Sequence, residues 1–339
     1  GTANITNSNF NVNDGVVNGY DYNTGVLITS GVNTSNNSNY TVNGSRSSGI
    51  FLTGGSISSS GDEISVGGSE SNGIYLSSGT TSSSIDNYGR GYIKVSGGSS
   101  NGVFVKRGAT VTTVDDDFTI SGNGSNGINI ESGATVGTVQ SSSFTVGGSG
   151  NSSNGIYAQS GSTLSNINST SFTVTGNGSN GANLQNGLAT NFSNIIATVS
   201  GSGSTGITLN TQKPHTFTSA NTFTVSGGNA SSGIYLYDSE GFTMNATGNA
   251  ANSSFDVSNN SIGVGINVND SVTKAKTITF STASTPGNTH YRTYMKLTGN
   301  GSNGSNPNTE GSIGFNIQNG RMTDATTDAN KKVEIKGML

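Results

Sequence analysis

One glycine-led motif repeats at nearly even spacing along this chain, and it constrains the fold more than any other feature. In each copy, a glycine precedes three residues of the kind that form strands. Successive glycines are 24, 24, 29, 25, 28, 26, 25, 27, 32 and 49 residues apart, and the last step leaves room for one degenerate copy. Repeats of this length are typical of solenoids, in which each copy forms one coil. The glycines are Gly25, Gly49, Gly73, Gly102, Gly127, Gly155, Gly181, Gly206, Gly233, Gly265 and Gly314.

Two further columns of apolar residues run in register with the glycines. In the second column, an apolar residue is followed two positions later by another, which places both on one face of a strand. A third, looser column follows the glycine motif, as in Val111 with Val114. The pattern predicts an all-β fold, a right-handed parallel β-helix (a solenoid) with three short strands in each of about ten to twelve coils. The second column begins with Phe10, Tyr40, Ile64, Ile93, Phe118, Phe144, Phe172, Ala197, Phe223 and Phe255.

Turn-forming residues separate the predicted strands. Asparagine and glycine are the residues that most readily adopt positive φ, so the Asn-Gly pairs of the repeat are expected to form a tight corner. The segment Lys213-Pro214-His215 interrupts the pattern and is expected to be a loop where a coil corner is lost. The asparagines of these pairs are Asn72, Asn101, Asn126, Asn154 and Asn180.

The composition fits an ordered fold with a thin core and excludes several functional classes. Only 29% of the residues are apolar and 9% are charged, whereas disordered chains are usually rich in charge. With a net charge of −4, the chain is not expected to bind nucleic acid. No apolar run is long enough to cross a bilayer, so no membrane insertion by this segment is expected. The absence of cysteine suits a polypeptide that crosses a membrane unfolded.

The repeat divides the chain into two parts. Residues 1–269 carry the regular β-helix repeats, with a small insertion near residues 13–24. Beyond about residue 270 the repeat loosens and lysine and arginine return. Residues 270–339 are therefore predicted to form degenerate coils and a C-terminal cap, or a junction with another segment, because an open coil end invites aggregation.

Three stretches carry a resemblance to a known family: Ser-Asn-Gly-Ile-Tyr-Leu at 71–76 and the longer copies of the motif at 125–136 and 152–164. They resemble the passenger regions of bacterial type V autotransporter adhesins, especially the large β-helical surface proteins of fusobacteria, over roughly residues 25–268. The resemblance implies an extracellular location on the bacterial cell surface and adhesion to host or bacterial partners. Residues 1–339 include no translocator barrel of the kind that such families carry. The barrel is therefore expected outside these residues, or export follows another route.

The outward positions of the glycine-led strand supply the candidate binding residues. Four large apolar residues are expected to project to solvent one above another, with two cations beside the last of them. Contiguous apolar patches on a surface tend to mark interaction sites, and aromatic rings suit both sugar rings and protein contacts. We therefore expect a protein or glycan receptor on another cell to bind here. The residues are Leu27, Phe51, Tyr75, Phe104, Lys106 and Arg107.

Two functions other than adhesion also fit a solenoid of this composition. The chain could be a structural subunit of a surface filament or layer that self-associates through its coil ends. It could also be a phage tailspike or a polysaccharide-cleaving β-helix enzyme, for which Asp115, Asp116 and Asp117 would be the carboxylates. Adjacent residues point in different directions, however, so this cluster is expected to be a solvated turn. His215 and His290 stand apart from other ligands, and we expect no catalytic residues, metal site or cofactor.

Overall fold

The computed structural model is a parallel β-solenoid whose wall consists of three sheets. It describes residues 2–14, 23–86, 91–148, 151–185, 190–211, 213, 215–228, 231–237, 241–246, 253–259, 261–267, 277–282, 294–298, 313–318 and 321–324. Regular structure within these ranges consists of strands without helices. Accordingly, no helix with the length and hydropathy of a membrane-spanning segment occurs in the described ranges.

Each coil contributes one strand to each sheet. Sheet A contains β1 (Asn4–Thr6), β4 (Val32–Asn36), β7 (Ser56–Ser60), β10 (Thr81–Asp86), β13 (Thr110–Asp115), β16 (Thr135–Gln140), β19 (Thr163–Asn168), β22 (Asn191–Ser193), β25 (His215–Thr218), β28 (Gly241–Ala246), β31 (Thr277–Thr282) and β34 (Arg321–Asp324). Sheet B contains β2 (Asn9–Val12), β5 (Asn39–Val42), β8 (Glu63–Val66), β11 (Tyr92–Val95), β14 (Asp117–Ile120), β17 (Ser143–Val146), β20 (Ser171–Val174), β23 (Ile196–Val199), β26 (Thr222–Val225), β29 (Ser254–Ser258) and β32 (Tyr294–Thr298). Sheet C contains β3 (Thr24–Ile28), β6 (Ser48–Leu52), β9 (Asn72–Leu76), β12 (Asn101–Val105), β15 (Asn126–Ile130), β18 (Asn154–Ala158), β21 (Asn180–Gln185), β24 (Thr205–Asn210), β27 (Ser232–Tyr237), β30 (Ile262–Asn267) and β33 (Ile313–Gln318).

Like residues stack on like residues through the core, as the apolar columns predicted. Phe118, Phe144 and Phe172 occupy neighbouring strands of sheet B, and all three side chains are buried. The ring centroids of Phe118 and Phe144 are 4.6 Å apart, and those of Phe144 and Phe172 are 5.3 Å apart. Sheets of 12, 11 and 11 strands confirm the parallel solenoid with three strands per coil. Its right-handed winding stays a prediction, based on the handedness of parallel crossovers.

The repeat glycines of sheet C lie where two sheets approach each other, and not in turns. A Cβ atom built on Gly155 would lie 2.5 Å from the carbonyl oxygen of Gly181 and 3.0 Å from the Cβ of Phe144. Real Cβ atoms essentially never show the first distance, and the second is tighter than nine in ten real Cβ contacts. Glycine is therefore required here by the neighbouring strand of sheet C together with the aromatic column of sheet B.

The asparagines before these glycines do not form the predicted corner. Asn101 and Asn126 begin strands of sheet C, and neither has positive φ. Instead, Asn126 Nδ2 donates to Asn101 Oδ1 at 3.0 Å, and Asn154 Nδ2 donates to Asn126 Oδ1 at 2.9 Å. An amide has both a donor and an acceptor, so a column of asparagines satisfies itself along the rod. Residues such as Ser99 and Ser152 adopt the positive φ of the neighbouring turn.

A column of buried serines forms a second hydrogen-bonded ladder at the corner that precedes sheet C. The backbone N–H of Ser100 donates to Ser125 Oγ at 3.1 Å, and Ser125 Oγ–H donates to the carbonyl oxygen of Gly97 at 2.7 Å. The Ser125 hydroxyl thus satisfies two buried backbone groups of the preceding coil. The ladder contains Ser47, Ser71, Ser100, Ser125, Ser153, Ser179 and Ser204.

Ser125→Ala is expected to lower the free energy of unfolding by about 2 kcal/mol, because it leaves a buried N–H and a buried C=O without partners. Urea denaturation followed by far-UV circular dichroism measures this change. Ser132→Ala is the matched control, since Ser132 is exposed and its change should stay within about 0.5 kcal/mol. Equal urea midpoints for the two variants would mean that the ladder does not contribute to stability.

The register of the last regular coil differs from the predicted one. The sequence pattern places Gly265 in the glycine column, but Ile234 pairs with Val264 and Tyr235 pairs with Gly265. Gly263, whose carbonyl oxygen lies 2.8 Å from a Cβ built on Gly233, therefore occupies the column. Gly263 and Gly265 are two residues apart, so the sequence motif can be aligned on either of them. Only the strand pairing shows which one occupies the column.

Sheet A deviates from strict alternation in its central coils. Ser82 pairs with Ile57 and Ser84 pairs with Ser58, so one residue is inserted between them as a β-bulge. The bulge explains why Val111 and Val114, three residues apart, are both buried.

Beyond residue 270, strands β31 to β34 continue the three sheets. Most of the predicted insertion near residues 13–24 lies outside the described residues. Much of the predicted cap at 270–339 does so too. Self-association through the coil ends stays a prediction.

Candidate functional site

Sheet C brings the predicted binding residues together on one side of the rod. Strand pairing places Leu27 beside Phe51, Phe51 beside Tyr75, and Tyr75 beside Phe104. We call these four residues the apolar ladder. Leu27 is 57% exposed and the three aromatic side chains are half-buried. The predicted outward column is therefore present.

The aromatic rings of the apolar ladder pack edge to face. The centroids of Phe51 and Tyr75 are 4.7 Å apart with an angle of 89° between the ring planes, and those of Tyr75 and Phe104 are 5.2 Å apart at 78°. This T-shaped arrangement is favoured by the ring quadrupoles and adds stability beyond the area that it buries. It also orders the three rings relative to one another before any partner binds.

The two predicted cations lie at the Phe104 end of the ladder. Lys106 Nζ is 5.9 Å from the centroid of the Tyr75 ring, at the distance of a cation–π contact. The backbone N–H of Arg107 donates to Glu131 Oε2 at 2.8 Å. The structure thus brings five of the six predicted residues into one continuous patch and places Arg107 next to it in sequence. Their role in binding stays a prediction.

The same outward column becomes polar beyond Phe104. Asn129 pairs with Phe104, and Gln159 Nε2 donates to Asn129 Oδ1 at 3.2 Å. Tyr157 and Tyr235 recur further along as single aromatic residues, flanked by Asn183 or Thr208. Among the described residues, the outward column of sheet C is therefore continuously apolar only in its first four coils. Sequence analysis did not single out Val32, which begins β4 in the coil of Leu27 and is 67% exposed.

The aspartate cluster is not the solvated turn that the sequence suggested. Asp116 is buried, and its Oδ1 accepts the backbone N–H of Asp117 at 2.8 Å, while its own N–H donates to Ser142 Oγ. Ser143 Oγ–H donates to Asp117 Oδ1. The Asp116 carboxylate thus caps the corner before sheet B, and the Asp117 carboxylate bonds to the next coil. Among the described residues, no group of three or more potential metal ligands is found.

The prediction that His215 lies in a loop is wrong. His215 begins β25 and is buried in the core. Its Nδ1 accepts the backbone N–H of Thr190 at 3.2 Å, and its Nε2 is 2.7 Å from Thr211 Oγ1. Burial lowers the pKa of the imidazole from 6.5 to about 4, so the ring is neutral at pH 7. The strand pairing of sheet A outweighs the turn tendency of the preceding proline.

A buried polar cluster near the first coils was missed by the sequence analysis. Tyr40 Oη lies 2.8 Å from Ser35 Oγ, and Ser59 Oγ–H donates to Asp62 Oδ2 at 2.6 Å. Burial raises the pKa of Tyr40 to about 12 and also raises the pKa of the Asp62 carboxyl. Ser35 and Ser59 stand where later coils carry valine or isoleucine, and this change was the available sign. Since these groups satisfy one another in the interior, the cluster is structural.

Comparison with known proteins leaves the family open. No protein-family description matches the chain, and no curated protein matches its sequence. A crystal structure of a TibC-catalysed, hyper-glycosylated fragment of TibA aligns with 95% of this chain and 100% of the fragment, at 16% identity and a TM-score of 0.22. Because that score is low, no property of the fragment is carried over to this chain.

Proposed function

We propose that this chain is a non-enzymatic segment of an adhesin on the bacterial cell surface, a β-helical rod that presents a lateral face to a protein or glycan receptor. The apolar ladder carries this proposal. Four large apolar side chains in consecutive coils expose a continuous strip on a surface otherwise rich in serine, threonine and asparagine. Contiguous apolar patches on a protein surface tend to mark interaction sites, so this strip favours a binding role.

The solenoid gives this strip the setting that an adhesin needs. Stacked coils about 4.8 Å apart make a stiff rod, because every coil is bonded to the next through three sheets. A lateral patch on such a rod keeps its geometry without a folding cost at the moment of binding. The resemblance of the repeat to autotransporter passengers supports the extracellular location and the adhesive role.

The combined variant Phe51→Ser, Tyr75→Ser, Phe104→Ser is expected to reduce binding of the purified, labelled chain to host or bacterial cells by about tenfold or more, since buried aromatic anchors dominate interfaces. Flow cytometry measures the binding, and circular dichroism checks that the solenoid is intact. The matched control is Tyr157→Ser with Tyr235→Ser, which removes aromatic residues of the same column outside the ladder. Cell binding that survives the triple change, or is lost equally in the control, would contradict the proposal.

A further inference from the structure

The apolar ladder runs along the rod axis, and this direction restricts what can lie on it. Its side chains come from different strands, so their spacing is the strand separation of about 4.8 Å and not the repeat along a strand. The ladder therefore presents four apolar groups over about 14 Å by the same spacing. A partner that contacts all four must offer a row of apolar side chains with a similar step.

Secondary structures differ in how well they meet this requirement. Side chains on one face of an α-helix recur about every 5.4 Å along its axis. Side chains on one face of a β-strand recur about every 6.7 Å. Over three steps, the side chains of a helix fall about 2 Å out of register with the ladder. Those of a strand fall about 6 Å out of register, which exceeds the spacing between two coils. The step of the ladder thus favours a helix laid parallel to the rod.

The ring geometry favours protein side chains over a stacked sugar. A sugar-binding platform needs an open, flat ring face, but Tyr75 packs at 89° and 78° against both of its neighbours, and Lys106 Nζ lies over its ring. Backbone pairing shows that the adjacent outward column continues from Thr53 through Ser77 to Lys106. These coils thus place hydroxyls and a cation beside the rings, and the column reaches a carboxylate or amide only at the next position, Glu131.

The charge at one end sets the direction of the helix. Lys106 and Arg107 both follow Phe104, at the end of the ladder that is opposite Leu27. The C-terminal end of a helix carries the negative pole of the helix dipole and is complementary to such cations. Acidic side chains in the last helical turn would add to this attraction.

We propose that the receptor of the apolar ladder is an amphipathic α-helix of another protein, aligned with the rod axis and carrying its acidic C-terminal turn toward Lys106 and Arg107. This inference rests on the proposed function and names the partner of the same site. It follows the recognition mode in which apolar residues at i, i+4, i+7 and i+11 anchor a helix.

Two designed peptides of identical composition test the proposal. One places four leucines at i, i+4, i+7 and i+11 with glutamates in its last turn, and the other places the leucines at alternate positions. Fluorescence anisotropy should show that the first peptide binds the chain at least about tenfold more tightly. The triple variant of Phe51, Tyr75 and Phe104 should abolish this difference, and Lys106→Gln with Arg107→Gln should weaken binding and reduce its salt dependence.

Pretreatment of the target cells tests the helical protein partner separately from the adhesin role. Protease digestion should remove cell binding, whereas periodate oxidation of surface sugars should leave it unchanged. Loss after periodate, or equal affinity for the two peptides, would overturn the helical protein partner while the adhesin role stands. Cell binding that is unaffected by the triple variant would instead overturn the proposed function itself.

Discussion

Gly155→Ala is expected to lower the free energy of unfolding of the solenoid by about 3 kcal/mol. The added methyl group has no space, because it would lie 2.5 Å from the carbonyl oxygen of Gly181 and 3.0 Å from the Cβ of Phe144. Neither obstacle is the flexible end of a side chain. Relief therefore requires that β18 separate from β21 within sheet C, which lengthens backbone hydrogen bonds, and that sheet C move away from the aromatic stack of sheet B.

The same substitution at Gly98 isolates this effect from the general change in backbone entropy. A Cβ atom built on Gly98 meets only the carbonyl oxygen of Asn123, at 3.7 Å, and the φ of Gly98 is not positive. Gly98→Ala should be neutral or stabilising by up to about 1 kcal/mol, since alanine reduces the freedom of the unfolded chain. Urea denaturation of both variants measures the difference. If Gly155→Ala proves as stable as Gly98→Ala, the close contacts at Gly155 do not require glycine at this position.

The second large effect is a loss of stability in acid that depends on His215. In the folded state burial holds the pKa of this imidazole at about 4, whereas in the unfolded chain it returns to 6.5. Between these values the unfolded state binds a proton that the folded state does not, so stability falls as the pH falls through this window. The total loss is about 3 kcal/mol, and it is complete below pH 4 because both states are then protonated.

The variant His215→Asn tests this assignment, because an amide oxygen can still accept the N–H of Thr190 but does not titrate. Urea unfolding at several pH values between about 4 and 7 should show a decline for the natural chain that exceeds that of the variant by about 3 kcal/mol. The comparison is needed because burial also raises the pKa of the Asp62 carboxyl, which changes the stability in the opposite direction as the pH falls. Parallel pH profiles for the two chains would rule out His215 as the cause.

The architecture was predictable because a solenoid repeats its contacts along the sequence. Phe118, Phe144 and Phe172 recur at the coil length, and alternation assigns their side chains to the interior. The same reasoning placed Phe51, Tyr75 and Phe104 on one outer column, which strand pairing confirms. Whether these residues bind a receptor is a separate question, since an exposed apolar column shows a surface and not its partner.

Errors in the sequence-based expectations arose where the outcome depends on contacts between coils. Asn126 was expected in a turn because isolated asparagine tolerates positive φ, but asparagines in the neighbouring coils supply both hydrogen-bond partners for its amide. His215 was expected in a loop because it follows a proline, yet its backbone pairs with Phe242 in sheet A. In both cases the deciding partner is about one coil away in sequence.

The amino-acid sequence by itself determined the coil length, the number of strands per coil and the inward face of most strands. These follow from periodicity, which is a property of one dimension and survives degenerate repeats. The tertiary structure alone decided why Gly155 must be glycine, how serine and asparagine become ladders, and which of Gly263 and Gly265 stands in the column. Those outcomes depend on the alignment of backbones about 4.8 Å apart, where a shift of one residue turns every side chain to the opposite face.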